Sequence, residues 1–154
     1  MAVVMRESVC EEDSLLDPVN ASKLEMVHIS SNDDASINWD GAFAAYGGHG
    51  ADNTIVVPFS IQPGGHLGWH TDSVEETQYI IAGSGELQRD DGNFPVGAGS
   101  IFILPALVRH DLRNTGTEPL LAVAFFSGGA LTQVFDDVML PPNGHELRSP
   151  NVSG

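Results

Sequence analysis

The chain has 154 residues, 42% of them hydrophobic, and its formal net charge is −15 because 21 acidic residues outnumber six basic ones. A chain of this length forms one domain of ordinary size, with a core that needs no disulfides or structural metals. The excess of carboxylates would repel phosphate backbones, so we expect no nucleic-acid partner. The sequence has neither an apolar run long enough for a membrane span nor the pattern of a signal peptide, so we expect no membrane partner and a cytoplasmic location.

The first part of the chain is predicted to contain little regular structure. Residues 1–22 are acidic and lack hydrophobic periodicity, which predicts a flexible N-terminal arm. The arm carries Cys10, the only cysteine, which agrees with a reducing compartment. Residues 23–30 alternate like a short strand, whereas residues 30–41 are predicted to be a polar loop anchored by Trp39.

From residue 54 onward the sequence predicts short strands separated by turns rich in glycine and proline. The first of them, residues 54–62, contains Pro58, which predicts an edge strand or a bulge. The others are residues 66–71, 76–82, 85–90, 100–105, 109–115, 119–126 and 131–137. No long segment has the 3.6-residue period of a helix, so residues 23–140 are predicted to form an all-β sandwich or barrel. Residues 141–154 are predicted to be a surface tail.

Side chains that can act as metal ligands are concentrated between residues 63 and 114. Alternate residues of a strand point to the same face. His70 and Asp72 therefore share one face of their strand, and Glu76 lies on the corresponding face of the next. His110 lies on a later strand. If these faces point into a barrel, two imidazoles and two carboxylates can converge on one divalent metal ion.

The spacing of these residues resembles the first of two motifs that characterise the cupin family. Gly64 is followed after five residues by His70, and then by Asp72, Glu76 and Gly83 at the intervals of that motif. The motif normally has a second histidine where Asp72 stands. This part of the sequence therefore resembles a cupin metal-binding segment with one substituted ligand.

The second cupin motif is also matched, later in the chain. Gly99, Pro105, His110 and Asn114 fall at its intervals, with Leu107 in place of a glycine. The two matches, in the right order, imply a single-domain antiparallel β-barrel with jelly-roll topology.

The resemblance also implies a metal site. Carried over position by position, the cupin ligands fall on His70, Asp72, Glu76 and His110. A carboxylate at position 72 hardens the ligand set, which favours Fe(II), with Mn(II), Zn(II) or Ni(II) as alternatives. The two histidines with Asp72 or Glu76 would make the 2-His-1-carboxylate triad of non-haem iron oxygenases. Two alternatives stay open, a barrel that has lost its metal and an Asp72 that orients a ligand without touching the metal.

The predicted function is a metal-dependent enzyme acting on a small oxygenated organic molecule, most simply a non-haem iron dioxygenase. In the alternative, the metal acts as a Lewis acid in isomerase, cyclase or lyase chemistry. Asp72 or Glu76, whichever is not bound to metal, would then be the catalytic proton carrier. A third interpretation is a barrel that binds a small molecule without catalysis.

The predicted substrate pocket lies beside the metal ligands. Gln78 shares the inward face with Glu76 and is a candidate contact. His66 lies about 13 Å from His70 along an extended strand, so it is predicted to touch substrate or to lie at the barrel mouth. Inward-facing apolar side chains would line the rest of the pocket. They include Phe59, Phe102, Leu112 and Phe126.

We expect the chain to act as a homodimer, because the resemblance implies dimers in many members of the family. The acidic arm, residues 1–22, and Pro58 on a candidate edge strand would be compatible with an exchange of sheet edges between two copies. The other expected partner is the small-molecule substrate.

Overall fold

The computed structural model describes residues 17–150. The predicted arm up to residue 16, with Cys10, and the last four residues of the predicted tail lie outside the described range. Two short 3-10 helices, Ala21–Lys23 and Gly47–His49, occur in the described part. The strands are β1 (Val27–Ser30), β2 (Asn38–Gly41), β3 (Thr54–Ile61), β4 (His70–Asp72), β5 (Glu76–Ala82), β6 (Ser84–Arg89), β7 (Gly92–Gly97), β8 (Ile101–Leu104), β9 (His110–Asn114), β10 (Leu120–Ser127), β11 (Thr132–Met139) and β12 (Gly144–Arg148). None of the helices in the described part is long and apolar enough to cross a membrane.

The strands form two six-stranded antiparallel sheets that face each other. The first sheet has the order β1-β2-β3-β10-β5-β8 and the second the order β12-β11-β4-β9-β6-β7. Strands that follow one another in sequence often lie in different sheets, so the chain crosses repeatedly between the two layers. This arrangement confirms the predicted all-β class and the antiparallel barrel of jelly-roll type.

The core lies between the sheets because strand alternation sends every second side chain inward. In β10 the alternate residues from Leu120 to Phe126 are buried, whereas Leu121 and Phe125 between them are exposed. The buried apolar side chains of both sheets form one continuous cluster. The sandwich therefore has a single core, as its length predicts.

The prediction that Pro58 marks an edge strand or a bulge is wrong. β3 lies between β2 and β10, and Val123 of β10 pairs with Pro58 in an uninterrupted register. On the other side, β2 pairs with β3 only as far as Phe59, and the Pro58 carbonyl accepts a hydrogen bond from the backbone N–H of Ala42. Because the N–H that proline lacks would face the end of β2, Pro58 removes at most the last hydrogen bond between β2 and β3.

Three strands were not predicted from the sequence. β2 lies in the predicted polar loop, β7 between two predicted strands, and β12 in the predicted surface tail. Residues 38–41 (NWDG) have poor strand propensity but pair with both β1 and β3. The surface assignment of the tail is wrong at Leu147 of β12, which is only 4% exposed and opposite Gln133 of β11.

One predicted strand is much shorter than expected. Residues 66–71 were predicted to be extended, but β4 begins only at His70. Gly68 has φ +103, in the left-handed region, and a side chain there would meet Ile37 and Phe135 at 3.2 and 3.3 Å. This glycine turns the chain immediately before the first histidine of the cluster.

We predict that Leu147→Ala lowers the free energy of unfolding by about 2–5 kcal/mol, the usual loss when a buried leucine is truncated. Urea denaturation measures the difference. Leu107→Ala removes the same atoms from a side chain that is 71% exposed and should stay within about 0.5 kcal/mol of wild type. Equal effects of the two substitutions would contradict the placement of β12 in the core.

Candidate metal centre

Four ionisable side chains meet between the sheets. His70 and His110 lie directly opposite each other where β4 pairs with β9, and their ring centroids are 4.3 Å apart. Asp72 follows on β4, and Glu76 projects from β5 of the facing sheet. Each of the four is at most 2% exposed. The structure thus brings together the side chains that strand alternation placed on inward faces.

The two imidazoles are oriented by the backbone. His70 Nδ1 is 2.7 Å from the Gly68 carbonyl and His110 Nδ1 is 2.9 Å from the Val108 carbonyl. A carbonyl accepts only, so Nδ1 carries the proton and donates. The Nε2 atoms of both rings are therefore directed at the cluster, as in histidines that bind metals.

The ligand atoms lie close enough to share one ion. One ligand atom each from His70, Asp72 and His110 lie within 4.8 Å of one another. His110 Nε2 is 3.5 Å from Asp72 Oδ2, and His70 Nε2 is 3.7 Å from Asp72 Oδ1. Glu76 stands beside this group, with Oε1 at 3.3 Å from His110 Nε2. The arrangement is two imidazoles and one carboxylate, with a second carboxylate adjacent.

Two glutamines hold the carboxylates in place. Gln133 Nε2 donates to Asp72 Oδ1 at 2.8 Å, and Gln78 Nε2 donates to Glu76 Oε2 at 2.9 Å. Each carboxylate is thus held by one oxygen, and its other oxygen is directed at the cluster. Gln133 comes from β11 and was not recognised in the sequence, where nothing but its inward position on a strand distinguishes it.

Several buried atoms at this point have no hydrogen-bond partner among the described residues. They are Asp72 Oδ2, Glu76 Oε1, Gln78 Oε1 and His110 Nε2. The 3.3 Å approach of Glu76 to His110 does not have the geometry of a hydrogen bond. Each such buried atom costs about 1–3 kcal/mol, and three of the four are lone-pair donors of the kind that bind metals. A divalent cation fits this set of atoms.

Burial and mutual charge shift the protonation of the cluster. Burial, followed by the charge of Glu76, raises the pKa of Asp72. Burial, followed by the neighbouring His110, lowers the pKa of His70. Burial also lowers the pKa of His110, but the close approach and negative charge of Glu76 outweigh it and the net pKa is raised. His70 is therefore neutral, as a metal ligand must be.

His66 does not reach the cluster. Its Nδ1 lies 2.6 Å from Asp111 Oδ2 and its Nε2 lies 2.8 Å from Asp34 Oδ2, and it is 3% exposed. The sequence predicted a substrate contact or a position at the barrel mouth. The structure instead places His66 in the barrel wall, with both ring nitrogens occupied by carboxylates.

Asp111 was missed by sequence reasoning. Strand parity places it on the outward face, opposite to His110, yet it is fully buried. Its Oδ1 accepts hydrogen bonds from the backbone N–H groups of Gly68 and Leu112. Since the Gly68 carbonyl accepts from His70, Asp111 helps to fix the turn that orients this ring.

Comparison with known proteins agrees with this geometry. The Cupin_2 family model, described as a cupin domain, matches residues 58–126, a range that runs from β3 into β10 and contains the four clustered side chains. The match and the two-sheet fold support a cupin superfamily protein. No match was found among curated protein sequences.

Solved structures with the same fold include three enzymes of different names. The polyketide cyclase RemF from Streptomyces resistomycificus is 16% identical, with TM-score 0.61 over 73% of this chain and 79% of that chain. A putative sugar phosphate isomerase from Acidithiobacillus ferrooxidans is 16% identical, with TM-score 0.62 over 89% and 95%. Oxalate decarboxylase from Lactobacillus farciminis is 21% identical, with TM-score 0.59 over 64% of this chain and 31% of that chain. At these identities the likeness shows a shared cupin fold.

The second cupin motif has structural roles in this chain. Asn114 is buried, and its side-chain amide donates to the carbonyls of Ile61 and Glu118. Leu107, which replaces a glycine of the motif, has φ +66. A left-handed backbone explains why glycine suits this position, because a leucine is strained there.

An apolar cavity of about 50 Å³ adjoins the cluster. Of the predicted substrate-binding residues, Phe59 and Phe126 line it. Gln78 binds Glu76 instead, and Phe102 and Leu112 pack in or against the core without lining the cavity. The complete lining is Ile29, Trp39, Gly41, Ala42, Phe43, Val57, Phe59, Leu67, His70, Glu76, Ala124, Phe126, Gln133, Phe135 and Leu147. Many of these come from β2, β11 and β12, two of which sequence reasoning missed.

The wall around His66 generates a pH prediction. Hydrogen bonds from the side chain and backbone of Ser36 lower the pKa of Asp34 to about 2. Because the folded pKa is depressed, its ionisation stabilises the fold above the ordinary value of 3.8, and this contribution is lost as the pH falls through about 2. Asp34→Asn should lower the free energy of unfolding by roughly 1 kcal/mol at pH 7, and the difference from wild type should shrink between pH 5 and pH 2. Urea denaturation across this range measures it.

Asp52→Asn provides the control for this experiment, since it changes an exposed carboxylate and should leave the free energy of unfolding within about 0.5 kcal/mol of wild type. A difference between wild type and Asp34→Asn that stays constant down to pH 2 would contradict the assignment.

Proposed function

We propose that this cupin is a metal-dependent enzyme acting on a small oxygenated organic molecule, with a non-haem iron dioxygenase as the best-supported activity. One observation carries the proposal. His70, Asp72 and His110 direct buried ligand atoms at a common point, and two of the three leave an atom without a hydrogen bond there. Two histidines and one carboxylate are the ligand set of non-haem iron oxygenases.

The metal would be held by His70, Asp72 and His110, with Fe(II) favoured and Mn(II), Zn(II) or Ni(II) as alternatives. When bound, an iron ion supplies the site for substrate and dioxygen. A dioxygenase places both oxygen atoms in the organic product, so dioxygen is the oxidant, the substrate supplies the electrons and no external reductant is needed. The apolar cavity next to the ligands, enlarged by movement of its lining side chains, would receive the apolar part of the substrate and exclude water.

Glu76 is the proposed proton carrier. It lines the cavity, and its Oε1 is buried without a hydrogen bond. Gln78 holds the other oxygen, so Oε1 keeps a fixed direction towards the cluster. Such a carboxylate can take the proton of a substrate hydroxyl or an acidic C–H group.

The same carboxylate favours a second candidate function. If Glu76 moves a proton between two atoms of the substrate while the metal polarises a carbonyl, the outcome is isomerase, cyclase or lyase chemistry. The polyketide cyclase and the putative sugar phosphate isomerase among the structural neighbours are compatible with this alternative. Their low identity does not choose between it and the dioxygenase.

We predict that His110→Ala reduces bound metal by at least about tenfold, because a direct ligand contributes more than the outer partners whose loss costs 10–100-fold. Metal content is measured by mass spectrometry after incubation of purified protein with Fe(II), Mn(II), Zn(II) or Ni(II). Circular dichroism verifies that the variant is folded. His28→Ala is the matched control, since His28 is exposed on β1 and its side chain is hydrogen-bonded to Asp40, far from the four clustered side chains in the fold.

Wild-type protein that takes up none of the four metals would overturn the proposed function. Full occupancy in folded His110→Ala would overturn the ligand set. Asp72→Asn should lose more metal than Glu76→Gln, because the proposal makes Asp72 the ligand and Glu76 the proton carrier.

Oxygen uptake separates the two activities. A dioxygenase consumes dioxygen in step with a diketone, catechol or flavonol, whereas Lewis-acid chemistry converts its substrate without oxygen. Glu76→Gln should slow either reaction while leaving most of the metal in place.

We also propose that the protein is a homodimer, through the outward face of the first sheet. With Pro58 in an interior strand, the proposal no longer rests on edge exchange. The outward positions of β5, β8 and β10 carry no charged side chain, in a chain of net charge −15. Their exposed members are Tyr79, Ile81, Ile101, Ile103, Leu121 and Phe125.

The extent of this face suits a second copy of the chain. Together with β3, which adjoins β10 and also has uncharged outward residues, these strands make four. At about 4.8 Å spacing and about 3.3 Å per residue they present a flat area of about 450 Å², and the side chains on it add further surface. Each partner of a standard interface buries roughly 800 Å², so stacking this face on itself approaches that size. Elsewhere the many carboxylates of two copies would repel each other.

We predict that Ile103→Glu converts the dimer to a monomer, because it places a charge on each side of the interface. Light scattering after size-exclusion chromatography gives the mass. Val134→Glu, a similar change at an exposed valine of the other sheet, should leave the dimer intact. A monomeric wild-type protein, or a dimer that survives Ile103→Glu, would overturn this interface.

A further inference from the structure

We propose that the substrate of this site is uncharged outside its metal-binding oxygen atoms and has an aromatic or aliphatic body, so that phosphate esters and molecules with a second, distal carboxylate are rejected. The inference rests on the proposed function in one respect, namely that the cavity beside the cluster is the substrate site. It narrows that function from oxygenated molecules in general to one class of them.

The cavity wall is the first argument. Among residues 17–150, no lysine or arginine lines the cavity, and its polar lining consists of His70, Glu76 and Gln133. The remaining lining residues are aliphatic, aromatic or glycine. A buried anion needs a paired cation or several hydrogen-bond donors, and without them its burial costs several kcal/mol. The wall offers neither to the distal part of a ligand.

The basic residues of the described chain are engaged elsewhere. Arg109 pairs with Asp90 and Asp136 and stacks on Trp69. Arg89 pairs with Asp91, and Arg148 pairs with Glu146. Lys23 is exposed in the first short helix, and Arg113 occupies an outward position of β9. None of the five lines the cavity, and none can serve as a counter-ion there without rearrangement.

Most side-chain hydrogen-bond donors at the cavity are committed as well. The indole N–H of Trp39 donates to the Leu67 carbonyl at 3.0 Å. One N–H of the Gln133 amide donates to Asp72 and Nδ1 of His70 donates to a backbone carbonyl, so among these donors only the second N–H of Gln133 is left for a ligand. At the polar end, Asp72 and Glu76 would offset the charge of a divalent ion, so no surplus positive charge remains there for a distal anion. The cavity therefore suits a ligand that is neutral outside its metal-binding oxygen atoms.

Two catechols with the same metal-binding end test this selectivity. The probes are 4-methylcatechol and 3,4-dihydroxybenzoate, which have similar size and differ in the distal charge. Binding to the Zn(II)-loaded full-length protein is measured anaerobically by isothermal titration calorimetry. We expect 4-methylcatechol to bind at least about tenfold more tightly, since the buried carboxylate would be unpaired. Equal binding, or tighter binding of the carboxylate, would overturn the inference.

A pair of variants tests the cause of the selectivity. Val57→Lys places a cation in the cavity lining and should reduce the preference for 4-methylcatechol by about tenfold. Val56→Lys makes the same substitution one residue away, on the opposite face of β3, and should leave the preference unchanged. Thermal denaturation verifies that both are folded. If folded Val57→Lys keeps the full preference for 4-methylcatechol, cavity charge is not the cause of the preference. If Val57→Lys does not fold, the ratio of the wild-type affinities for the two catechols alone decides.

Failure of the inference differs from failure of the proposed function. If the protein binds Zn(II) but prefers 3,4-dihydroxybenzoate, the proposed metal site stands and the proposed substrate class is wrong. If the protein binds no metal, the proposed function is wrong. Titration of the same two probes into the metal-free protein then decides whether the cavity rejects anions.

Discussion

The structure depends on one constraint, which is that two imidazoles and two carboxylates are buried together in an apolar core. Burial of such groups is expensive unless each is paired, and several elements serve to hold them. Backbone carbonyls fix the two rings, and Gln78 and Gln133 fix one oxygen of each carboxylate. The lone pairs that these contacts leave free are directed at one point, where a cation would bind them.

The position of Asp72 determines the chemistry of the centre. The cupin motif has a histidine there, and this chain has a carboxylate that Gln133 holds by Oδ1 while Oδ2 is directed towards His110. The substitution makes the ligand set harder and provides, beside Glu76, a second carboxylate that would offset the charge of a divalent ion. The described walls of the cavity carry no cation, so the polar end has no surplus positive charge and the rest of the cavity is apolar. Both features favour a substrate that is neutral outside its metal-binding atoms.

Much of the fold and of the cluster follows from local sequence rules, whereas the surroundings do not. Period-2 alternation places Glu76 and Gln78 inward on β5, and it brings His70, Asp72 and His110 to one point. Alternation cannot detect Asp111, which lies at an outward position and is buried against His66 from the segment between β3 and β4. Nor can it detect β2 and β12, whose polar and proline-flanked sequences become strands only by pairing with neighbours distant in sequence. These two strands contribute Trp39, Gly41 and Leu147 to the cavity lining, so its composition becomes visible only in three dimensions.

The most direct test of the account is anomalous diffraction from crystals of the protein loaded with Fe(II), Mn(II) or Zn(II), recorded at the absorption edge of each metal. The account predicts one anomalous peak between the sheets, at about 2.0–2.2 Å from Nε2 of His70, Nε2 of His110 and an oxygen of Asp72. A peak elsewhere in the chain, a peak bound by Glu76 but not by Asp72, or no peak with any of the metals would contradict it.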